Sequence, residues 1–587
     1  MTLPQPITDS QDEQTLDEFF READLIQIPL FQRQYIWSQR EFLELQKDIE
    51  QVKEDIDSSQ FLGAIVSYLN SRQAGSVFGR LKKISIVDGQ QRILTLYIYI
   101  IAIVEILAKN GNKEDALDIV KNHILIQSRR GLDVNTRIIP SYADSAQFRI
   151  ILDRISTPEI LQEELEDTRI LPPRPSGNSN GRLLTQYNRI RRYLQNEVDK
   201  EPERGNEFLT NIFEIVFNKL TFVHLMLNDA SVAPKIFERL NYRGIPIGTI
   251  DLVRNEVFSS LMDHPTDAER IYHFTWKPYV DNFHGTENGF FFPYCLIHNS
   301  STKKSELFTE LRNIWNGKTP EQIIEHMTTY QDPYNAIDST GKFLENQEIS
   351  KRLDRLVRMK RPSSIYPFVM SLLIAYQNHD ISESQCTDLL DVIESFLVRR
   401  AIIGYEPTGL HALFKGLWQE LDDKNIQSFI QAVSDRPTIQ WPNDEEFMEA
   451  VKNRPLAKTR ICNYLLVEFD KDLPGDNPNS LPTIEHILPN SYNSENEWGE
   501  IFSIEDHREL KDIWANLVPL SVPLNSSLQV SPYSRKRERY LAESMFKTPR
   551  NLATDYDTWT VEDIRNRANR ISEWALNQWP YNFGYVV

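Results

Sequence analysis

Lys83-Ile84-Ser85-Ile86-Val87-Asp88-Gly89-Gln90-Gln91-Arg92, running on into Ile93-Leu94-Thr95-Leu96-Tyr97-Ile98-Tyr99-Ile100, is the stretch whose reading decides the fold. Lys83 to Val87 is apolar and β-branched and reads as a strand. From Ile93 the apolar text continues to Ala108 without a polar face and reads as a buried helix. Asp88 to Arg92 is then a turn at a helix N-terminus, where free amides and the positive end of the dipole attract anions. Gly89 lets the backbone approach a ligand closely. Arg92 offers a planar fork for phosphate oxygens. Asp88 can hold a divalent ion or orient a water. The plainer alternative is that Asp88 caps the helix and Arg92 pairs with it.

Outward from this unit the text is mixed. Thr15 to Phe20 reads as a short helix, Leu25 to Pro29 as an extended piece, and Ser38 to Val52 as a helix opened by a Ser38/Glu41 capping box. Phe61 to Leu69 is a strand, joined to the next by a polar hairpin-like connection over residues 70–80. Leu171 to Arg182, rich in Pro, Gly and Asn, is expected as an exposed loop. Phe208 to Leu220 reads as a helix, Thr221 to Leu227 as a strand, Ala233 to Leu240 as a helix broken by Gly244 and Pro246, and Thr249 to Leu261 as a further helix. Amphipathic helical patterns such as Asp388 to Arg400 and Leu410 to Leu421 dominate residues 262–430. Lys471 to Pro482 is the clearest linker, or equally a loop inside a C-terminal domain.

The chain has 587 residues. Single cores rarely grow past about 250–300 residues, so two to four domains are expected. Apolar residues at 40% and charged residues at 25% exclude a disordered chain. The 84 Asp and Glu against 65 Lys and Arg give a net charge of −19, which argues against a purely electrostatic DNA coater but allows a local basic surface. Three widely spaced cysteines suggest neither a disulfide framework nor a cysteine zinc site, and a reducing, cytoplasmic setting fits them. The polar, acidic N-terminus is not read as a signal peptide. Ile93 to Ala108 carries Glu105 and falls short of the roughly 20 residues of a membrane span, so no membrane partner is expected.

Two further N-terminal stretches carry chemistry-bearing residues. Ile28-Pro29-Leu30-Phe31-Gln32-Arg33-Gln34-Tyr35-Ile36-Trp37 offers aromatic rings on which a base can stack and Arg33 for phosphate. Aromatics two apart on an extended segment are otherwise core. Phe237 to Gly244 contains Asn241 and Arg243 in turn-like text. Asp251, Arg254 and Asn255 follow on one helix face, either a salt-bridged surface or the wall of a pocket.

At the other end, Glu485-His486-Ile487-Leu488-Pro489-Asn490 precedes Trp514-Ala515-Asn516-Leu517 and then Leu524-Asn525-Ser526-Ser527. Neutral His486 can take a proton from water. Glu485 and Asn525 are oxygen donors suited to Mg²⁺ or another divalent metal. Asn516 can fix the loop or orient the imidazole. Residues 535–550 hold six Lys or Arg and two Glu, a local net of +4, so Arg535, Lys536, Arg537 and Arg539 are candidate DNA contacts. Singly, each has a plain structural explanation as a surface pair, a turn former or a solvated helix face.

Taken together, IPLFQRQYIW, DGQQRILTL and FERLNYRGIPIGTIDLVRN resemble the N-terminal half of the GmrSD-type restriction nucleases of phage defence. The FLVRRAI run, Phe396 to Ile402, is similar to that family's helical region. The ordered set E-H-I-x-P, A-N-L-x-P-L, L-N-S and K-x-x-x-Y-x-x-S, the last at Lys536, Tyr540 and Ser544, resembles its C-terminal HNH (ββα-metal) nuclease domain. The departures are Gly248 for Leu, Ala515 for Gly and Asn490 for Gln. None of them removes an expected ligand or base.

The resemblance implies an α+β multidomain chain. It comprises a ParB/sulfiredoxin-like nucleotide-binding domain (1–260), a mostly α-helical connecting region (261–430) and an HNH nuclease domain (431–587). A nucleoside triphosphate, whether GTP, ATP, CTP or UTP, would bind at Gln32, Arg33, Tyr35, Asp88, Gly89, Gln90, Gln91, Arg92, Asn241, Arg243, Asp251, Arg254 and Asn255. Asp88 and Arg92 would act in its hydrolysis. His486 and Asn516 would serve cleavage, and Glu485 and Asn525 would hold the metal. The implied activity is NTP-dependent, modification-sensitive cleavage of foreign double-stranded DNA. A non-cleaving NTPase or DNA-binding regulator, an RNA-directed nuclease, and a homo-oligomeric state all stay open.

Overall fold

A helix that is apolar on every side has no face to give to water, and Gln90–Lys109 is enclosed on every side. It is long and apolar enough to cross a membrane, but 94% of its most apolar window is buried inside the protein, which makes it the core helix its sequence implies. Its one internal carboxylate, Glu105, accepts bonds from Tyr187 Oη at 2.5 Å, Arg191 Nε at 2.9 Å and Lys109 Nζ at 2.5 Å. Burial pushes that carboxyl up, but the bonds from Lys109, Tyr187 and Arg191 outweigh it and hold it below its ordinary value.

The computed structural model describes residues 13–583, apart from 30–31, 33, 56–57, 70–81, 128–133, 157–179, 228–248, 262–264, 406, 408, 479 and 582. Asn241, Arg243, Arg33, the helix expected at 233–240, and most of the 70–80 and 171–182 connections lie outside the described residues. The chain divides into two compact units, residues 1–278 with 319–323, and residues 279–318 with 324–587.

In the first unit six strands form one mixed sheet: β1 (Glu13–Thr15), β2 (Leu25–Gln27), β3 (Gln60–Leu69), β4 (Lys83–Asp88), β5 (Ile138–Ile139) and β6 (Leu220–Leu227). Their order is β1-β6-β3-β4-β2-β5. β3 runs parallel to β6 and antiparallel to β4, and β2 runs parallel to β4 and β5. The unit's helices include α1 (Leu16–Glu22), α2 (Gln39–Glu54), α3 (Gln90–Lys109), α4 (Arg182–Lys200), α5 (Gly205–Asn218) and α6 (Thr249–Phe258). The capping box at Ser38 and Glu41 forms, as does one at Thr15 and Glu18. Ser67 Oγ, His224 Nε2 and Glu22 form a hydrogen-bonded line across β3 and β6, with contacts of 2.7 and 3.0 Å. Ser67 and His224 are fully buried, so this line is a core contact.

The second unit is helical around a small hairpin. Its helices include α7 (Glu383–Ile403), α8 (Asp444–Asn453) and α9 (Cys462–Asp472). β7 (Thr483–His486) and β8 (Leu517–Leu520) follow, then α10 (Val522–Leu528), α11 (Tyr533–Glu543), α12 (Lys547–Asp555) and α13 (Val561–Gln578). The helix expected over Leu410 to Leu421 is broken at Gly416 into Leu410–Phe414 and Leu417–Glu420. All three cysteines are buried and free.

The expected separation at residue 430 is not a break between compact units. Arg399 of the FLVRRAI run is fully buried on α7 and donates to Trp579 O at 2.6 Å, Pro442 O at 3.1 Å and Asp444 Oδ1 at 2.6 Å. Residues 473–478 and 480–482 belong to a loop inside this unit and not to a linker. The buried Lys547 ammonium donates to Lys471 O at 3.1 Å, Leu473 O at 2.5 Å, Gly475 O at 3.2 Å and Asn477 Oδ1 at 2.9 Å. Lys547→Met should orphan these acceptors and lower the unfolding free energy by about 3 kcal/mol. An unchanged urea midpoint would contradict this.

Candidate functional sites

The Asp88–Arg92 turn is built on a bulge in β3. The register of β3 on β6 shifts between Phe61 and Ala64, and Gly63 there has φ +113°. Gly89, at φ +89°, is the N-cap of α3 and gives the helix no side-chain cap. A Cβ at Gly89 would lie 2.9 Å from Ile65 Cγ1 and 3.1 Å from Ala64 O, so the turn needs glycine for both conformation and space. Arg92 is half-buried and its Nη1 donates to Ala64 O at 3.0 Å. Asp88 therefore does not cap the helix, nor does it pair with Arg92. Among the described residues its half-buried carboxylate makes no hydrogen bond or ion pair.

The neighbouring residues divide into a group that faces this turn and a group that supports it. Gln32 is buried, donates from Nε2 to Val87 O at 3.2 Å, and keeps a buried Oε1 without a partner among the described residues. Gln91 is a brace: Oε1 accepts from Ile36 N at 2.8 Å and Nε2 donates to Gln34 O at 3.4 Å. Tyr35 is buried, with its hydroxyl 2.6 Å from Thr95 Oγ1. Its ring belongs to the core, which corrects the expectation that a base stacks on it. Asp144, which sequence reading missed, accepts the Tyr35 amide at 2.8 and 3.0 Å. Burial raises the Asp144 carboxyl to about 6, against bonds from Ser141 and the Tyr35 amide. Gln90 is buried at the first turn of α3. On α6, Arg254 pairs with Asp251 at 2.7 Å, and Asn255 is buried with its Oδ1 unpartnered among the described residues.

In the second unit β7, β8 and α10 follow one another as strand, strand and helix. β7 and β8 pair antiparallel, with His486 opposite Leu517 and Glu485 opposite Val518. Asn525 on α10 donates from Nδ2 to Ile484 O at 3.0 Å and to Thr483 Oγ1 at 2.9 Å. Its Oδ1 accepts no bond among the described residues. His486, two residues further along the strand than Ile484, has Nε2 3.1 Å from Asp512 Oδ1. Lys511 Nζ donates to Asp512 Oδ2 and to Asn490 Oδ1, both at 2.6 Å. Burial pushes the imidazole below its ordinary value, against the pull of Asp512. Burial also raises Asp512, but Lys511 and His486 outweigh it and hold that carboxyl low. Asp512 and Lys511 are the residues the sequence reading passed over. Their only signal was a charged pair just ahead of the A-N-L motif.

Asn516 is fully buried and its amide is saturated. Oδ1 accepts from Leu488 N at 2.7 Å and Trp559 Nε1 at 3.2 Å, and Nδ2 donates to Leu488 O at 2.9 Å and Lys511 O at 2.8 Å. It clamps the loop that follows His486 and does not face a substrate.

Two expectations are corrected at α11. Lys536 and Tyr540, four residues apart, share the helix face turned toward β7. Lys536 Nζ reaches Glu485 Oε1 and His486 O, both at 2.7 Å, and Tyr540 Oη reaches Glu485 Oε1 at 3.0 Å. Lys536 is fully buried and so presents nothing to DNA. Glu485 is buried too, its Oε1 taken by an ammonium and a phenol, and burial pushes its carboxyl up against their pull. A divalent ion would have to compete with a buried cation for that oxygen, so Glu485 does not fit a metal ligand. Among the described residues no group of three His, Cys, Asp or Glu can hold a metal. Arg537 donates to Ala553 O at 2.8 Å and pairs with Asp557, while Arg539 pairs with Glu543. Arg535 and Arg550 remain exposed.

Residues 16–258 match the family model described as GmrSD restriction endonuclease, N-terminal domain, and residues 441–574 match GmrSD restriction endonucleases, C-terminal domain. These matches define a restriction endonuclease, a nuclease of defence against phage, on a mixed α+β multidomain chain. The chain belongs to the GmrSD-type family, as its motifs imply. A comparison with curated proteins finds no match.

Proposed function

We propose that the chain is an NTP-dependent DNA endonuclease that cuts foreign double-stranded DNA according to its modification, in the cytoplasm. The observation that supports cleavage best is the His486–Asp512 pair on the strand-strand-helix unit. With Nε2–H donated to Asp512, Nδ1 keeps its lone pair. That nitrogen takes a proton from water as the water oxygen attacks phosphorus and the P–O bond to the leaving sugar oxygen breaks. Asp512 holds the ring and stabilises the imidazolium that forms. Asn525 Oδ1 accepts no bond among the described residues. The family resemblance brings Mg²⁺ into the proposal, but the expected pair of Glu485 and Asn525 does not supply its site.

In the first unit the start of α3 without a side-chain cap, Arg92, and the Asp88 carboxylate and Gln32 Oε1, neither of which has a partner among the described residues, support a triphosphate site, in keeping with a ParB/sulfiredoxin-like fold. The Asp88 carboxylate fits the Mg²⁺ that accompanies a nucleoside triphosphate, which would offset phosphate charge there. Arg92 would clamp phosphate oxygens.

The deciding experiment incubates the protein with modified and unmodified phage genomes, plasmid and RNA, with and without each of GTP, ATP, CTP and UTP. Cleavage of DNA that depends on a nucleotide supports the reading. Cleavage of RNA alone, or turnover of nucleotide without any cleavage, overturns it.

Because His486 acts as the neutral base and is held below its ordinary value of 6.5, cleavage should keep more than half of its rate at pH 6.5 and decline further as the pH falls. Asp512→Asn should slow cleavage by about 10- to 100-fold. It should also move the acid limb to lower pH, because the lost carboxylate had favoured the protonated ring. An acid limb that stays in place would show that Asp512 does not act on His486.

A further inference from the structure

We propose that Gly63 is a positioning residue for Arg92, and through it for the phosphate this arginine would hold. The inference rests on the nucleotide reading above. Arg92 lies against the bulge of β3 with no carboxylate partner among the described residues, its Nη1 bonded to the Ala64 carbonyl at 3.0 Å. A Cβ built on Gly63 would sit 3.0 Å from Arg92 Nη2, 3.1 Å from Cζ and 3.4 Å from Nε. The guanidinium therefore occupies the space that any side chain at position 63 would take.

The same three-residue segment receives the other end of the turn, since Gly89 packs on Ala64 O and Ile65. Gly63, Ala64 and Ile65 thus form a template that sets Gly89 and Arg92 at the mouth of α3. An arginine fork bonds two phosphate oxygens only when its plane is set, so a displaced guanidinium loses geometry as well as distance. A bulge glycine with no tie to the site would be needed only for its positive φ. A role toward Arg92 has a different signature, because it disappears when the guanidinium does.

The test measures Mg²⁺-ATP, GTP, CTP and UTP binding to the full chain by calorimetry, for wild type, Gly63→Ala, Arg92→Lys and the double variant, with melting temperatures alongside. Gly63→Ala is expected to weaken binding of whichever nucleotide the wild type takes by about tenfold. In the Arg92→Lys background the same change is expected to cost less than about threefold. Should Gly63→Ala not fold, Gly63→Asn carries the same comparison, because Asn tolerates positive φ better than Ala. Wild-type affinity in the Gly63 variant, or an equal loss in both backgrounds, overturns the inference while leaving the nucleotide site in place. A wild type that binds none of the four nucleotides removes the site itself, and the inference with it.

Discussion

His486→Ala is expected to slow DNA cleavage by about 10²–10⁴-fold while nucleotide turnover is unchanged. His486 ends β7 beside the long excursion to β8, with its side chain part-exposed and one ring nitrogen bonded to Asp512. Burial favours the neutral ring, which is the form a general base needs at neutral pH. Loss of the imidazole removes the proton acceptor but leaves the fold's supports: the Asn516 clamp, the Lys536–Glu485 pair and the Asn525 bonds to β7. Circular dichroism and melting should therefore match wild type. A well-folded variant that cuts DNA at the wild-type rate would sink the assignment of the base.

Arg92→Ala should reduce nucleotide turnover by about 10²–10³-fold and, in cells, abolish protection against phage. Asp88→Ala should do the same. Both side chains are half-buried at the start of α3. Among the described residues Arg92 is held by one backbone carbonyl, and its charge is not spent on a carboxylate. Among the described residues Asp88 makes no hydrogen bond or ion pair and Arg92 makes one, to Ala64 O, so stability should change little, and the loss should be read in kcat and nucleotide affinity. Turnover at the wild-type rate in both variants would reduce the turn to a glycine-capped helix start. Paired with them, His486→Ala separates the two sites: it should remove cleavage and leave nucleotide turnover, whereas the turn variants should lose turnover and, with it, the cleavage that depends on nucleotide.

Much of the first unit was legible because its signals are local. Period and length set β3, β4 and α2 close to the expected bounds, and the Ser38 box was readable from two residues. The DGQQR turn was recognisable because glycine chemistry and helix termini act over a few residues. Which of its neighbours face a ligand was not legible. Tyr35 and Gln91 carry suitable chemistry, but Thr95, Ile36 and Gln34 use it for bracing.

The same limit governed the nuclease unit. By itself the sequence determined the family, the apolar core helix, the strand and helix periodicities, and His486 as the group suited to take a proton near neutral pH. Only the tertiary structure decided how the charges are spent. Lys536 and Glu485 are 51 residues apart, and that separation says nothing about their meeting in a buried ion pair. Lys547 reads as part of a basic DNA-binding run, yet it faces inward onto the backbone carbonyls of Lys471, Leu473 and Gly475, more than 70 residues earlier. Asp512 carries no motif of its own and gains its role because the Trp514–Asn516 turn brings it back beside His486. A residue's type sets which bonds it can make. Whether those bonds go to solvent, substrate or the protein itself is set by which surfaces long-range packing brings together and strips of water.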